Sequence, residues 1–233
     1  MKFITSMSQA GYEEYGRNFL DSFERYCDKP LTVFSEDRLE DEYFPFGDLN
    51  KDADLTGFLA ECPPESKHYQ WKAGKFAKKV FALTCPDLPV VGWRIWIDAD
   101  VILDRPLDEA FFNAVCPEDK DGSYLGRKDW HTSECGFVAY NLERRGGAFL
   151  KRLREVYTSG EIFDHLEWHD SYLFDRVREE GYDFLNLSEG ASGMHVWDET
   201  ILGKYSRHLK GPLRKQGKTE GVPEHYWSER ERA

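Results

Sequence analysis

The chain has no paired-cysteine motif. Its five cysteines, Cys27, Cys62, Cys85, Cys116 and Cys135, are odd in number, widely spaced and never arranged as Cys-X-X-Cys. That pattern argues against a disulfide framework or a structural zinc site and fits a reducing compartment. No apolar run approaches the roughly 20 residues that span a bilayer, and residues 1–6 turn polar too early for a secretory leader. A cytoplasmic location without a transmembrane segment is therefore expected. Positive charge is scarce as well: 31 Lys and Arg face 43 Asp and Glu, a formal net charge of -12. Such a balance supplies no global attraction to nucleic acid or anionic lipid, although a local basic groove is compatible with it. Internal repeats and low-complexity stretches are absent too.

Aromatic surface, by contrast, is abundant, with 7 Trp, 12 Tyr and 16 Phe among 233 residues. Most such rings belong in a core, and a chain of this length can form one large domain; rings left at a cleft can stack on bases or sugar faces. The apolar segments read as α/β. Residues 2–5 form a short strand, residues 12–26 an amphipathic helix on the spacing of Tyr15, Phe19, Leu20 and Phe23, and residues 31–34 a second strand. A β-α-β opening belongs to a parallel sheet whose ligands gather at the carboxyl ends of its strands. Ser6, Ser8, Glu36 and Asp37 fall at those ends, either as ligand contacts or as ordinary caps. Residues 36–70 read as irregular, the kind of long stretch that serves as a functional loop. A helix over residues 70–83 turns Trp71, Phe76, Val80 and Leu83 to the core and carries Lys72, Lys75, Lys78 and Lys79, either as a solvated face or as contacts for a diphosphate.

The chain centres on Trp93-Arg94-Ile95-Trp96-Ile97-Asp98-Ala99-Asp100-Val101-Ile102-Leu103, apolar on both sides of a carboxylate pair. In an extended chain residues two apart project to the same side, so Asp98 and Asp100 are expected to converge on one point. Convergent carboxylates repel unless a cation lies between them, and Mg²⁺ or Mn²⁺ suits that place; the alternative is a pair of acids opening a turn. Further on, Gly136 interrupts a strand over residues 133–141, which implies either a bulge or the close approach of another group. A helix over residues 142–157 reads as scaffold, and residues 183–187 as an edge or linking strand. Trp168-His169-Asp170 stands at the entrance of a helix over residues 172–179, joining an aromatic face, a titratable base and a carboxylate; Asp170 or Ser171 can equally serve as its cap. Residues 205–215 gather His208, a break at Gly211 and the cations Arg207, Lys210, Arg214 and Lys215, either a basic tail that aids solubility or a binding element.

Taken together, these parts suggest a metal held by two Asp and one His, with positions left open for phosphate oxygens. Nearby cations would stabilise the charge of a departing diphosphate, which is the chemistry of transfer from an activated donor.

On three motifs the chain resembles the GT-A-fold glycosyltransferases, especially the retaining glycogenin and galactosyltransferase-like family. Ile97-Asp98-Ala99-Asp100-Val101 looks like the family's Asp-X-Asp, and Glu134-Cys135-Gly136-Phe137 to Asn141 is similar to its Asn-Ser-Gly strand. His208-Leu209-Lys210-Gly211-Pro212-Leu213-Arg214 is similar to its His-X-X-Gly-X-X-Lys. The resemblance spans residues 1–216, read as the catalytic domain, and leaves 217–233 as a polar tail. It implies a Rossmann-like α/β fold with a central, mostly parallel mixed sheet flanked by helices. A nucleotide-diphospho-sugar donor, in particular a UDP-sugar, is implied with it, as is Mn²⁺ or Mg²⁺ on Asp98, Asp100 and His208. Lys210, Gly211 and either Arg214 or Lys215 would meet the diphosphate, and Asp170 would lie near the anomeric centre. Ser6, Ser8, Asp37, Lys75, Lys78, Lys79, Ala99, Gly136, Trp168 and His169 complete the candidate donor site. The chain departs from the family at Glu134-Cys135, where Asn-Ser is usual, and at Arg214-Lys215, where one lysine is usual. Retention of configuration follows by analogy.

The acceptor is left open between a glycan, a lipid-linked sugar, a protein and a hydroxymethylated base in phage-type DNA. Net negative charge disfavours DNA mildly, while the lysines of residues 72–79 and the basic stretch of 207–218 are compatible with it. Two other readings compete. A phosphatase of the haloacid dehalogenase kind would use Asp98 as a nucleophile, but its motif belongs near the start of a chain. A nucleotide-sugar binding module would lack turnover.

Overall fold

The computed structural model describes residues 1–37, 46–63, 67–128, 132–191 and 195–209. The chain opens with β1 (Lys2–Met7), α1 (Gln9–Gly11), a π-helical turn (Tyr12–Gly16), α2 (Arg17–Tyr26) and β2 (Leu31–Ser35). It continues through β3 (Phe46–Asp48), α3 (Ala53–Glu61), a 3₁₀ turn (Tyr69–Trp71), α4 (Ala73–Leu83), β4 (Trp93–Ile97), β5 (Val101–Leu103) and α5 (Glu109–Val115). β6 (Gly122–Leu125), β7 (Glu134–Asn141), α6 (Gly146–Thr158), α7 (Asp170–Arg178), β8 (Phe184–Asn186), α8 (Ile201–Tyr205) and β9 (Ser206–His208) follow.

Seven strands form one sheet in the order β3-β2-β1-β4-β7-β6-β8. Its β3/β2, β2/β1, β1/β4 and β6/β8 pairings are parallel, and β7 runs antiparallel to both β4 and β6. The sheet is thus mixed and mostly parallel, as the resemblance implies. Because successive side chains project to opposite faces and both faces are covered, its strands read as unbroken apolar runs. Phe3, Ile95, Ile97, Phe137 and Ala139 bury on one face with Phe19, Phe23 and Phe111 of α2 and α5. Ile4, Trp96, Val138 and Tyr140 bury on the other with residues of α3, α4, α6 and α7. Arg94, alone charged in β4, donates to the carbonyls of Leu83 and Pro89 at 2.5 and 2.7 Å.

Three expectations are revised. Residues 36–70 are not irregular throughout: α3 lies among them, started by Asp52, whose Oδ1 accepts from the amides of Asp54 and Leu55. Its Gly57 lowers local propensity, and packing of Leu55 and Phe58 into the core overrides that weakness. Trp71, assigned to the core by helical spacing, precedes α4 in the 3₁₀ turn and is 38% exposed. Finally, Asp98 and Asp100 do not continue an extended strand. β4 stops at Ile97, and β5 pairs instead with β9 in a separate two-stranded antiparallel sheet.

Candidate active site at the carboxyl ends of the parallel strands

The break after β4 builds the site. Asp98 donates its amide to the Gly136 carbonyl at 2.8 Å, and Val101 donates back to the Asp98 carbonyl at 3.2 Å. The two acids therefore converge through a turn and not through the side-chain alternation of an extended strand. Ala99 between them is buried. β5 then pairs with β9 so that Val101 lies opposite His208, one residue past Asp100, and Leu209 donates to the Asp100 carbonyl at 2.9 Å. The result is a cluster: one ligand atom each from Asp98, Asp100 and His208 lie within 4.8 Å of one another. His208 Nε2 is 3.0 Å from Asp100 Oδ1 and 3.5 Å from Asp98 Oδ2.

Gly136 is explained by the same cluster. A Cβ at this position would fall 2.3 Å from His208 Cε1, so only glycine leaves room for the imidazole. The bulge reading holds too, because the register against β6 shifts between Ser123 and Leu125 while that against β4 stays continuous.

Around the cluster opens a cavity of about 650 Å³, lined by the ends of β1, β4 and β7, by one side of α4 and by the start of α7. Lys79 projects from α4 into its wall. Its ammonium lies 2.7 Å from Asp170 Oδ2 and 3.8 Å from Asp98 Oδ1, and it donates to the Cys135 carbonyl. Burial alone would lower the Lys79 pKa, but the charges of Asp170 and Asp98 outweigh it and hold the ammonium protonated. Burial would likewise raise Asp98, yet Lys79, the His208 contact and a hydrogen bond from Trp96 Nε1 at 2.6 Å bring it below the usual carboxylate range.

Asp170 is the first residue of α7. The helix cap is neither Asp170 nor Ser171 but His169, whose Nδ1 accepts from the Tyr172 amide at 3.4 Å while Nε2 contacts Glu167 Oε2 at 2.7 Å. The helix is tied to the sheet by buried Asp175, which accepts from the amide and hydroxyl of Ser133, each at 2.7 Å. Tyr69 and Phe76 pack on the His169 ring at 5.4 and 5.9 Å between centroids and give the cavity an aromatic wall.

Of the residues singled out in the sequence, Ser6, Ser8, Lys75, Lys79, Asp98, Ala99, Asp100, Gly136, His169 and Asp170 line this cavity. Ser6 donates to Glu36 Oε1 at 2.8 Å, and Ser8 caps α1 by accepting from the Gly11 amide. Asp37, Lys72, Lys78, Trp168 and His208 are not among the lining residues. Asp37 accepts from the Gln9 amide at 2.7 Å, and Lys78 pairs with Glu36 at 3.3 Å. Trp168 turns toward the core, where it packs on Phe163 and donates to the His165 carbonyl at 3.1 Å. Lys210, Gly211, Arg214 and Lys215 lie outside the described residues, as does the 217–233 tail.

Sequence reasoning missed Tyr15, Tyr69, Arg127 and Glu134 as cavity residues and read Phe76 as core. Tyr15 belongs to the π-helical turn, a feature frequent at functional sites, and its hydroxyl lies 2.6 Å from where a Cβ on Gly11 would stand, a proximity only the fold reveals. Arg127 and Glu134 form a buried ion pair, and no local pattern marks it.

No family model matches the sequence, and no curated protein matches it. The fold, however, is well represented among solved structures. The chain is similar to an active-site mutant of LgtC, with a TM-score of 0.58 at 12% identity over 97% of this chain and 99% of that one. A structure of the galactosyltransferase LgtC with donor and acceptor sugar analogs gives 0.54 at 11% identity, covering 98% and 99%. Mouse xyloside xylosyltransferase 1 gives 0.53 at 13% identity, covering 88% and 92%. The glycosyltransferase GlyE of Streptococcus pneumoniae TIGR4 gives 0.50 at 14% identity over 81% of this chain, which spans only 45% of GlyE. With its mixed sheet, its second two-stranded sheet and its acidic turn between them, this chain has the fold of the GT-A glycosyltransferases.

Proposed function

We propose that the protein is a metal-dependent glycosyltransferase that moves a sugar from a nucleotide-diphospho-sugar donor, in particular a UDP-sugar, to an acceptor hydroxyl. One observation carries the reading: two carboxylates and an imidazole converge within 4.8 Å beside a cavity at the carboxyl ends of parallel strands. The donor set suits the group it would hold. Hard carboxylate oxygens and one imidazole nitrogen fit Mn²⁺ or Mg²⁺, and glycine at position 136 clears the space the imidazole needs. Such a cation, when bound, neutralises charge on a departing diphosphate.

The chain's own groups supply the rest. Ser6 and Lys75 line the cavity as polar and cationic contacts for the donor, and Tyr69, Phe76 and His169 form its aromatic wall. Asp170, paired with Lys79 at 2.7 Å, would stabilise positive charge developing at the anomeric carbon. A carboxylate in that role accords with transfer under retention. Similarity to LgtC, whose structure holds donor and acceptor sugar analogs, supports a cavity that takes both substrates. The acceptor is a hydroxyl of unassigned class.

A panel of nucleotide sugars incubated with Mn²⁺, with donor hydrolysis as the readout, tests the proposal. One or more donors are expected to be hydrolysed, and Asp100→Ala is expected to abolish the reaction. Full activity in that variant would remove the metal assignment. Tight nucleotide binding without metal dependence or turnover would leave a binding module instead.

A further inference from the structure

One acid at this site stands where the chain departs from the motif it resembles. Glu134, the first residue of β7, is 5% exposed, and its carboxylate is engaged from three directions. Oε2 accepts from Arg127 Nη2, Oε1 accepts from the Gly136 amide at 3.1 Å, and Oε1 faces His208 Nδ1 at 3.9 Å. On the far side of the same ring, Nε2 faces Asp100 and Asp98. The ring itself is clamped. Trp197 packs on it with centroids 4.8 Å apart, and the backbone of Gly136 closes the space beside Cε1.

We infer that Glu134 is a positioning residue for His208: it holds the imidazole with Nδ1 toward its own carboxylate, so that the Nε2 lone pair points at the cation site formed with Asp98 and Asp100. A neutral imidazole carries one N–H; a cation held with Asp98 and Asp100 needs the Nε2 lone pair, which leaves the hydrogen on Nδ1, the nitrogen that faces the Glu134 carboxylate. Metal-binding histidines recurrently lean on such a carboxylate, and its loss weakens metal affinity. Arg127 and the Gly136 amide keep the Glu134 carboxylate in place. Glutamate therefore stands where the resembling strand has asparagine because this chain uses the position to orient a ligand. The inference rests on the metal reading given above.

Two measurements test it. Mn²⁺ binding is followed by electron paramagnetic resonance of the free ion in the wild-type chain and in Arg127→Gln/Glu134→Gln, which removes both charges and leaves no buried ion unpaired. The double variant is expected to bind Mn²⁺ about 10- to 100-fold more weakly while unfolding at a temperature close to wild type. Unchanged affinity in a folded double variant overturns the inference and leaves the metal reading intact. A wild-type chain that binds no Mn²⁺ removes both. Independently of any variant, ¹⁵N NMR of the Mg²⁺-loaded wild-type chain is expected to show His208 with its hydrogen on Nδ1; a hydrogen on Nε2 overturns the inference.

Discussion

Two clusters in this molecule have the same composition, one cation between two carboxylates, and opposite surroundings. On α6, Arg152 meets Glu161 at 2.6 Å and Glu180 at 2.9 Å, with side chains 27 to 40% exposed. In the cavity wall, Lys79 meets Asp170 at 2.7 Å and Asp98 at 3.8 Å, with its own side chain 11% exposed. Water decides what each can do. Around Arg152 it screens the charges and can solvate any of them left alone, so the cluster ties α6 to its neighbours with little net gain. Around the buried ammonium of Lys79 less water is available, and Asp98 draws on that charge for its ionised state. The first cluster is a strut and the second sets the field of a site.

The largest expected effect follows from removing the buried cation. Lys79→Met leaves Asp170 and Asp98 without their shared ammonium and is expected to cost about 3–5 kcal/mol, read from urea unfolding. A wild-type urea midpoint in that variant would erase the contrast between the two clusters. Arg152→Ala should cost only about 0–1 kcal/mol in the same experiment. A loss as large as that of Lys79→Met would show that water does not screen the α6 cluster.

The smallest effect is one of pH. The hydrogen bonds from Arg152, opposed by a weaker effect of burial, lower the Glu161 pKa from its ordinary value of 4.5. A depressed carboxylate contributes stability that is fully present above that ordinary value and is lost as pH falls through the folded one. Stability of the wild-type chain should therefore decline more between pH 5 and pH 3 than that of Arg152→Ala. Equal declines would mean that the pair makes no difference to folding.

Much of the site can be read from the residues before any fold is known. An apolar run ending in Asp98-Ala99-Asp100, a glycine inside a strand at 136 and a late histidine at 208 are unusual locally, and the three come together in space. The manner of their meeting cannot be read so. Extended geometry predicts convergence of the acids by alternation, whereas the chain turns at Asp98 because the next strand leaves the main sheet for β9. α3 escaped notice because its single glycine and the Pro63-Pro64 pair beyond it resemble loop chemistry, while the Asp52 cap and the burial of Leu55 and Phe58 favour the helix. Lys79 reads as one of four lysines on a helix. Helical periodicity can tell that it shares a helix with Lys75 and Lys78, but not that it alone finds two acids and a carbonyl in the cavity wall.

By itself the sequence determined the α/β class, the two-faced burial of the central strands and the identity of the residues with chemistry to offer. Those properties depend on neighbours within a few positions, where the periods of strand and helix act. Tertiary structure decided that Asp98 and Asp100 close through a turn, that Lys79 serves as the internal counter-ion of Asp98 and Asp170 and that Glu134 looks onto His208. Each of these depends on which strands lie side by side, and strand pairing is settled by packing across the whole chain.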